Sequence, residues 1–264
     1  MSQPNESTEG FLEVRTYFVR HKNALVARAD LGPLYVDYYL HLADLGVRYS
    51  NQEDFIFKKA LGALCLHCAS RPHNETVAWT LNMQDPLLNI FVTGCNKQKT
   101  VIGQLFNENV KEGEQNLFYS EVIRAAEEPR RSVVEFSGNS SFLAVEKFYR
   151  QSEQRVARFF EYAEEDFVLI SAQPDCDTEW LESLDLEQVR KLDQTEELSL
   201  LEKRYFRWHC GCNQNRMMQV LAPTMKNDAE GLFQGETSLR IHCPRCGMKY
   251  HITRESLEAY IAEN

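Results

Sequence analysis

The four cysteines near the C-terminus constrain this chain more than any other feature of its sequence. They form two close pairs, Cys210-x-Cys212 and Cys243-x-x-Cys246, with thirty residues between the pairs. A structural zinc site takes four ligands in a tetrahedron, and two short chelating loops joined by a longer connection suit that geometry. The second loop reads CPRCG, and its last residue, Gly247, can take a positive φ. We therefore predict that these cysteines bind one zinc ion per chain in the reduced state.

The segment that carries the cysteines is short, which strengthens the prediction of a metal. A unit as small as residues 205–264 rarely buries enough apolar surface to fold without a bound metal or another cross-link. Binding of a structural zinc contributes roughly 10–16 kcal/mol of folding free energy in peptide systems. His209 and His242 each precede a cysteine and are the alternative ligands. A histidine next to a cysteine ligand usually points elsewhere in a knuckle, so we prefer the four cysteines.

The single residue between Cys210 and Cys212 also permits redox chemistry. Two residues apart in an extended chain, Cα atoms lie near the upper end of the range that a disulfide tolerates, about 4.4–6.8 Å. A disulfide between these neighbours can therefore close under strain, and strained disulfides are more easily reduced. Zinc keeps thiols in the thiolate form, which peroxide or hypochlorite attacks. The residues thus permit a redox sensor, and they equally permit a plain structural zinc clasp.

Charge and motifs exclude several classes of protein. The net charge is −10, and residues 161–204 hold 14 acidic against 4 basic residues. A nucleic-acid binder shows a basic stripe, and none is visible, so we predict no nucleic-acid partner.

No apolar run is long enough for a membrane helix, and the polar N-terminus has no apolar signal core. We expect a cytoplasmic protein with no membrane contact. Phosphate-loop, nucleophile-elbow and HExxH motifs are missing, so we do not predict an enzyme.

The apolar pattern predicts an α+β protein in three parts. Residues 10–173 alternate between strand-like and helical runs and form a predicted N-terminal domain with a mixed β-sheet and helices. Residues 174–204 form a predicted acidic, helical linker with two short helices. Its leucines carry too little apolar mass to fold alone, so it must pack on a neighbour. Residues 205–264 form the predicted zinc-binding domain, with a hairpin around the second cysteine pair. The first ten residues are predicted to be a polar tail.

A second Cys-x-x-Cys motif, Cys65 and Cys68, falls deep inside a predicted helix. One interpretation is a redox pair, or a second metal site completed by His67 and His73. The other is a pair of small buried hydrophobic side chains, which we favour. A thioredoxin-like motif would instead follow a strand and open a helix.

Several stretches of the chain resemble the heat shock protein 33 family. The match at the C-terminus includes CGC at 210–212, Arg216, the thirty-residue spacer and CPRCGMKY at 243–250. Upstream, VEKFYRQSEQ at 145–154 resembles a helix of that family, and DPLLNIFVTG at 85–94 resembles part of its central sheet. The resemblance covers most of the chain and is most specific at the cysteines.

The resemblance implies a redox-regulated chaperone, a holdase of the cytoplasm. When reduced and zinc-bound, members of the family are inactive. Under oxidative stress the cysteines pair with their sequence neighbours, here Cys210 with Cys212 and Cys243 with Cys246. Zinc leaves, the adjacent linker unfolds, and the exposed surface binds unfolding client proteins; activated members tend to form homodimers. The segment 174–204 corresponds to that linker and is shorter than is usual in the family. The alternative function is a non-enzymatic adaptor with a purely structural zinc ribbon.

Overall fold

The computed structural model describes residues 10–264, so the predicted polar tail lies outside the described residues except for Gly10. The strands are β1 (Leu12–Val19), β2 (Ala24–Asp30), β3 (Glu75–Gln84), β4 (Leu87–Cys95), β5 (Thr100–Phe106), β6 (Asn116–Arg124), β7 (Arg130–Phe136), β8 (Ala157–Ala163), β9 (Asp166–Ala172), β10 (Leu198–Trp208), β11 (Ser238–His242) and β12 (Lys249–Thr253). The helices are α1 (Gly32–Leu45), α2 (Asn51–Ala69), α3 (Ser141–Gln151), α4 (Thr178–Ser183), α5 (Leu186–Arg190), α6 (Leu192–Thr195), α7 (Gln214–Asn227), α8 (Ala229–Phe233) and α9 (Arg254–Glu263).

Ten of these strands form one mixed sheet in the order β7-β6-β3-β4-β5-β10-β1-β2-β9-β8. The pairing between β5 and β10 is parallel and spans only two residue pairs, Arg207 with Thr100 and Trp208 with Val101. The other pairings are antiparallel and longer. The sheet therefore consists of two five-stranded halves that meet at a short junction. We call β7 to β5 the first half-sheet and β10 to β8 the second half-sheet.

Local signals in the sequence explain the helices that cover this sheet. Pro33 lies in the first turn of α1, and Gly46 ends that helix with a φ of 66°. Ser50 and Glu53 form a capping box at the start of α2, so two backbone N–H groups without helical partners are satisfied there. The buried stripe of α2 packs into the main core with Trp79 of β3. The predicted α+β fold class is confirmed. None of the helices in residues 10–264 combines the length and the apolar character needed to cross a membrane.

The motif Cys65-x-x-Cys68 lies inside α2, and both side chains are fully buried. Burial raises the pKa of both thiols, because the thiolate form loses its hydration there. His67 is also buried, and its Nδ1 lies 2.7 Å from the hydroxyl oxygen of Tyr149. His73 is 73% exposed, and within residues 10–264 it forms no metal-binding group with these cysteines. The two cysteines therefore act as small hydrophobic core residues.

The acidic segment 174–204 folds differently from the prediction in one respect. It contains three short helices, α4 to α6, rather than two, and its last residues, from Leu198, form the start of β10. Leu181 and Leu192 are buried against β8 and β9 in a core cluster with Phe160 and Ile170. The expectation that this segment packs on a neighbour is confirmed. Salt bridges add to the contact, for example from Arg150 of α3 to Glu182 at 2.9 Å.

Candidate metal centre

The first cysteine pair directly follows the strand that joins the two half-sheets. Cys210 and Cys212 lie just after the end of β10, and Gly211 between them has a φ of 68°. After them, the side chain of Asn213 accepts a hydrogen bond from the backbone of Arg216 and caps α7. The junction fixes the start of this loop and the cap fixes its end, so the two sulfur atoms are held in place from both sides.

The second cysteine pair occupies the turn between β11 and β12. The Cys243 N–H donates to the Met248 carbonyl oxygen at 2.8 Å, and the Gly247 N–H donates to the Cys243 carbonyl oxygen at 2.8 Å. Gly247 has a φ of 78°, which only glycine adopts without strain. The predicted hairpin and the predicted glycine role are both present, and the loop presents Cys243 and Cys246 on one side.

The four sulfur atoms form one compact group, all within 4.8 Å of one another. The Cys210 and Cys243 sulfurs are 3.6 Å apart, and the Cys212 and Cys246 sulfurs are 3.5 Å apart. In a tetrahedral site with metal–sulfur bonds near 2.3 Å, the sulfurs are separated by about 3.8 Å. The four cysteines are therefore positioned to hold a metal ion, and an all-thiolate set of this size suits zinc.

The two histidines considered as alternative ligands are not part of the sulfur group. His209 and His242 do not join the group that could hold a metal among the described residues. His209 instead lies beside Gly211, with its Nε2 atom 3.5 Å from the position that a Cβ on that glycine would take. The geometry thus offers four sulfur donors to a metal.

The thiols also shift one another's ionisation. Hydrogen bonds from neighbouring thiols, chiefly Cys246, lower the pKa of Cys210 to about 5, although burial opposes the charged form. The same contact raises the pKa of Cys246. Such a pair titrates as a unit, so the two shifts describe one negative charge held among several sulfurs. Even without metal, the cluster therefore favours a first thiolate, which is the form that binds metal and reacts with oxidants.

Tyr250 of β12 supports the cluster from one side. Its hydroxyl group donates a hydrogen bond to the Cys212 sulfur at 3.0 Å. Burial, together with the bond to that sulfur, raises the pKa of Tyr250 well above neutral pH, so the hydroxyl keeps its proton and remains a donor. A donor to a thiolate stabilises its charge and lowers its nucleophilicity.

Replacing Tyr250 by phenylalanine is expected to make Cys212 more reactive. The substitution keeps the ring and removes only the hydroxyl that stabilises the sulfur, at a cost of about 1.5–3 kcal/mol for a bond to a charged group. We expect release of bound zinc by hydrogen peroxide to be several times faster than in the parent protein, measured with a colorimetric chelator. Tyr260→Phe, on α9 and outside the cluster, is the matched control. Equal release rates for both variants would show that the hydroxyl does not protect the sulfur.

The cysteine cluster rests on the large domain. Ile102 of β5, which is 1% exposed, packs with Cys243 and Cys246, and Trp208 packs against the same group. The His41 Nε2 atom of α1 lies 2.7 Å from the Cys246 carbonyl oxygen. The cysteine cluster is therefore held against side chains of α1, β5 and β10.

Sequence patterns did not reveal these supporting residues. His41 is 205 positions from Cys246, and a single histidine in a helix carries no signal for a contact so distant in sequence. Ile102 has the appearance of any strand residue. Tyr250 lies in the stretch that resembles the heat shock protein 33 family, but its bond to Cys212 required the structure.

The fold and the sulfur cluster together define a class of protein, namely an α+β protein with a cluster of four cysteines. A large α+β domain is connected through short acidic helices to a small unit held by four clustered cysteines, and the cluster rests on the junction of the two half-sheets.

Comparisons with known proteins agree with this description. Residues 163–253 match the family model described as Hsp33 protein. The chain is 34% identical over 70 residues to a 33 kDa chaperonin of Caldanaerobacter subterraneus, subspecies tengcongensis. It is 30% identical over 66 residues to a 33 kDa chaperonin of Limosilactobacillus fermentum. These alignments cover 26% and 25% of this chain. The chain spans about a quarter of the length of these curated relatives, 24% and 22%.

A solved structure extends the likeness to nearly the whole fold. The crystal structure of the 33 kDa chaperonin, a heat shock protein 33 homolog, from Thermotoga maritima matches with a TM-score of 0.72. The match covers 96% of this chain and 98% of that chain at 13% sequence identity. The resemblance to the heat shock protein 33 family that was predicted from the sequence is confirmed by the family model over residues 163–253. The solved structure shows that the same fold extends over nearly the whole chain.

Proposed function

We propose that this protein is a redox-regulated molecular chaperone, a holdase that binds unfolding proteins under oxidative stress in the cytoplasm. The observation that carries the proposal is the cluster of four sulfurs seated on the junction of the sheet, next to a linker that packs through few buried side chains. The names of the relatives, which are 33 kDa chaperonins, support it.

In the reduced state, Cys210, Cys212, Cys243 and Cys246 hold one zinc ion. The ion keeps the sulfurs as thiolates and supplies folding free energy to the unit formed by residues 205–264. That unit has a small core of its own, made of Met218, Met225, Phe233, Ile252 and Leu257. A core of this size does not stabilise a unit of this length without the metal.

Oxidation converts the thiolate ligands of the metal into disulfides. In each pair, two thiolates lose two electrons and form one S–S bond, and one hydrogen peroxide takes up those two electrons and two protons from the solvent to give two water molecules. We propose that the pairs are Cys210 with Cys212 and Cys243 with Cys246. Every sulfur in a disulfide has lost the charge that binds metal, so the unit loses its staple and unfolds.

Unfolding of the cysteine unit then frees the linker. We propose domain boundaries at 10–173, 174–204 and 205–264, with the middle segment as the metastable part. Its helices have four to six residues each, too short to persist alone, and they depend on buried leucines for contact with the large domain. The freed surfaces bind unfolding clients, and activated chains form homodimers. Catalysis, nucleic acid and membranes have no part in this function.

The test measures zinc release and the aggregation of a client protein in the same experiment. Zinc-loaded protein is treated with hydrogen peroxide under mild heat, while a chelator reports zinc release and light scattering reports the aggregation of heated citrate synthase. We expect zinc release and suppression of aggregation to rise in parallel. Cys95→Ser, which changes a half-buried cysteine of β4 outside the sulfur cluster, is the control and should behave like the parent.

Two results would contradict the proposal. Equal suppression by the reduced form would show a chaperone without a redox switch. Zinc that resists peroxide, together with unprotected citrate synthase, would favour the adaptor with a purely structural zinc ribbon.

A further inference from the structure

Strand β5 has a strand partner along only part of one side. On its first side it pairs with β4 along its whole length, from Thr100 to Phe106. On its second side, β10 pairs with Thr100 and Val101 and then ends. Within residues 10–264, no strand pairs with residues 102–106 on that second side. The first half-sheet therefore ends in an edge of five residues, which we call the β5 edge.

The polar groups of this edge can be assigned from the junction. The Val101 carbonyl oxygen accepts a hydrogen bond from the His209 N–H at 3.2 Å, so the backbone groups of Val101 face the second side. Backbone groups alternate along a strand, which places those of Gly103 and Leu105 on the same side. The Tyr49 hydroxyl group donates to the Leu105 carbonyl oxygen at 3.0 Å, in agreement with this assignment.

The cysteine unit and the segment between α1 and α2 together cover the β5 edge in this structure. Cys243 and Cys246 pack on Ile102. Gly247 lies against Gln104: a Cβ at Gly247 would be 3.1 Å from the Gln104 amide nitrogen. Further along, toward Phe106, a cleft of about 370 Å³ separates the unit from the strand. The unit therefore shields the near part of the edge closely and the far part loosely.

The sequence of the strand makes the cover necessary. Residues 100–106 read TVIGQLF and include no charged side chain and no proline. Proteins usually protect a free edge with charged residues, proline or a bulge, because an unprotected edge pairs with other extended chains. This edge has none of those features.

We propose that the β5 edge is a docking site for an extended segment of an unfolding polypeptide, which adds to the first half-sheet as a strand once the cysteine unit has left. The inference rests on the proposed chaperone function and specifies how a client binds. Backbone hydrogen bonds supply the affinity in strand addition, and every extended chain offers them whatever its sequence. Ile102 and Phe106 add apolar contacts for alternate client side chains.

The occupant follows from this chemistry. A folded partner has its strands paired and offers no extended segment, and a second activated copy of this chain offers only its own β5 edge of five residues. An unfolding polypeptide offers unpaired backbone groups together with apolar side chains. Such a partner supplies donors and acceptors for the backbone groups of the strand. It also supplies apolar side chains that cover the face of the strand.

The test uses the full chain and a pair of synthetic peptides. One is a short peptide of alternating valine and threonine, and the other carries N-methyl groups on alternate residues, which remove the donors of one edge. Binding is followed by fluorescence anisotropy, and hydrogen exchange is measured in residues 102–106. In oxidised protein, we expect the first peptide to bind and to slow exchange in this segment by roughly tenfold. The methylated peptide should do neither, and reduced protein should bind neither peptide.

Two variants test whether the peptide binds at the β5 edge or on the face of the sheet. Phe106→Lys places a charge at the end of the edge, and Tyr119→Lys places the same charge on β6, inside the first half-sheet. Both side chains are 37% exposed, so the two changes are matched. We expect several-fold weaker peptide binding for the first variant and parent-like binding for the second.

The outcomes distinguish this inference from the proposed function. Equal binding of both peptides, or protection elsewhere with none in 102–106, would overturn the docking edge while leaving the suppression of aggregation intact. Failure of the oxidised protein to suppress aggregation would instead overturn the chaperone function itself, and the docking edge would lose its client.

Discussion

Cys246→Ser is expected to remove zinc from the protein and to unfold the C-terminal unit while the large domain stays folded. The Cys246 side chain is 2% exposed and lies within the sulfur cluster, so a serine leaves three thiolates and an incomplete tetrahedron. Structural zinc contributes roughly 10–16 kcal/mol to the folding of such units, far more than their small cores supply. The main core around α2 contains none of these cysteines and should be unaffected.

The measurement combines metal content with hydrogen exchange. We expect zinc to fall from one ion per chain to nearly none, and amides in residues 210–263 to lose protection while those of α2 keep it. Cys95→Ser should retain both zinc and protection, because that cysteine lies in β4 and is not a member of the sulfur group. Full zinc occupancy in Cys246→Ser would contradict the four-cysteine assignment.

The second large effect is expected from the linker, in Leu181→Ala. Leu181 of α4 is fully buried in the cluster that holds the linker on β8 and β9. Truncating a buried leucine costs about 2–5 kcal/mol. The helices α4 to α6 are too short to compensate. We therefore expect the linker to detach at lower temperature, and the reduced, zinc-bound protein to suppress aggregation under heat that leaves the parent inactive.

Limited proteolysis under reducing conditions tests this directly. Cleavage within residues 174–197 should begin at a lower temperature in Leu181→Ala than in the parent. Leu200→Ala is the matched control, because the Leu200 side chain is 52% exposed and its truncation opens no cavity. If Leu181→Ala resisted proteolysis and heat activation as the parent does, the linker would not be the metastable part of the chain.

Local chemistry was predictable from the sequence because it depends on neighbouring residues. The spacing of the cysteines anticipated a sulfur cluster, since two short loops can converge only when their ligands are close in sequence. Pro33 and Gly46 marked the ends of α1 for a similar reason: each acts on the backbone within one turn. The alternation of buried and half-buried side chains along β3 could also be predicted from its sequence.

The assembly of the sheet was not predictable in the same way. Strand β10 begins inside the segment that was predicted to be a helical linker. Its sequence, LSLLEKRYFRW, does not alternate regularly between apolar and polar residues, so the pattern of a strand is not visible there. Its parallel pairing with β5 joins residues about a hundred positions apart, through only two residue pairs. The contact of His41 with Cys246 joins residues 205 positions apart, so no local pattern could have indicated it.

Burial distinguishes the thiols of Cys65 and Cys68 from the four thiols of the cluster. Sulfur atoms that no solvent reaches, and whose pKa is raised, remain protonated and unreactive when peroxide is present. The reactive sulfurs are gathered in a unit whose loss leaves the main core intact. Under the proposed function, oxidation of the cluster forms disulfides that a reductant can reverse, and Cys65 and Cys68 in the main core stay unchanged from one cycle of oxidation to the next.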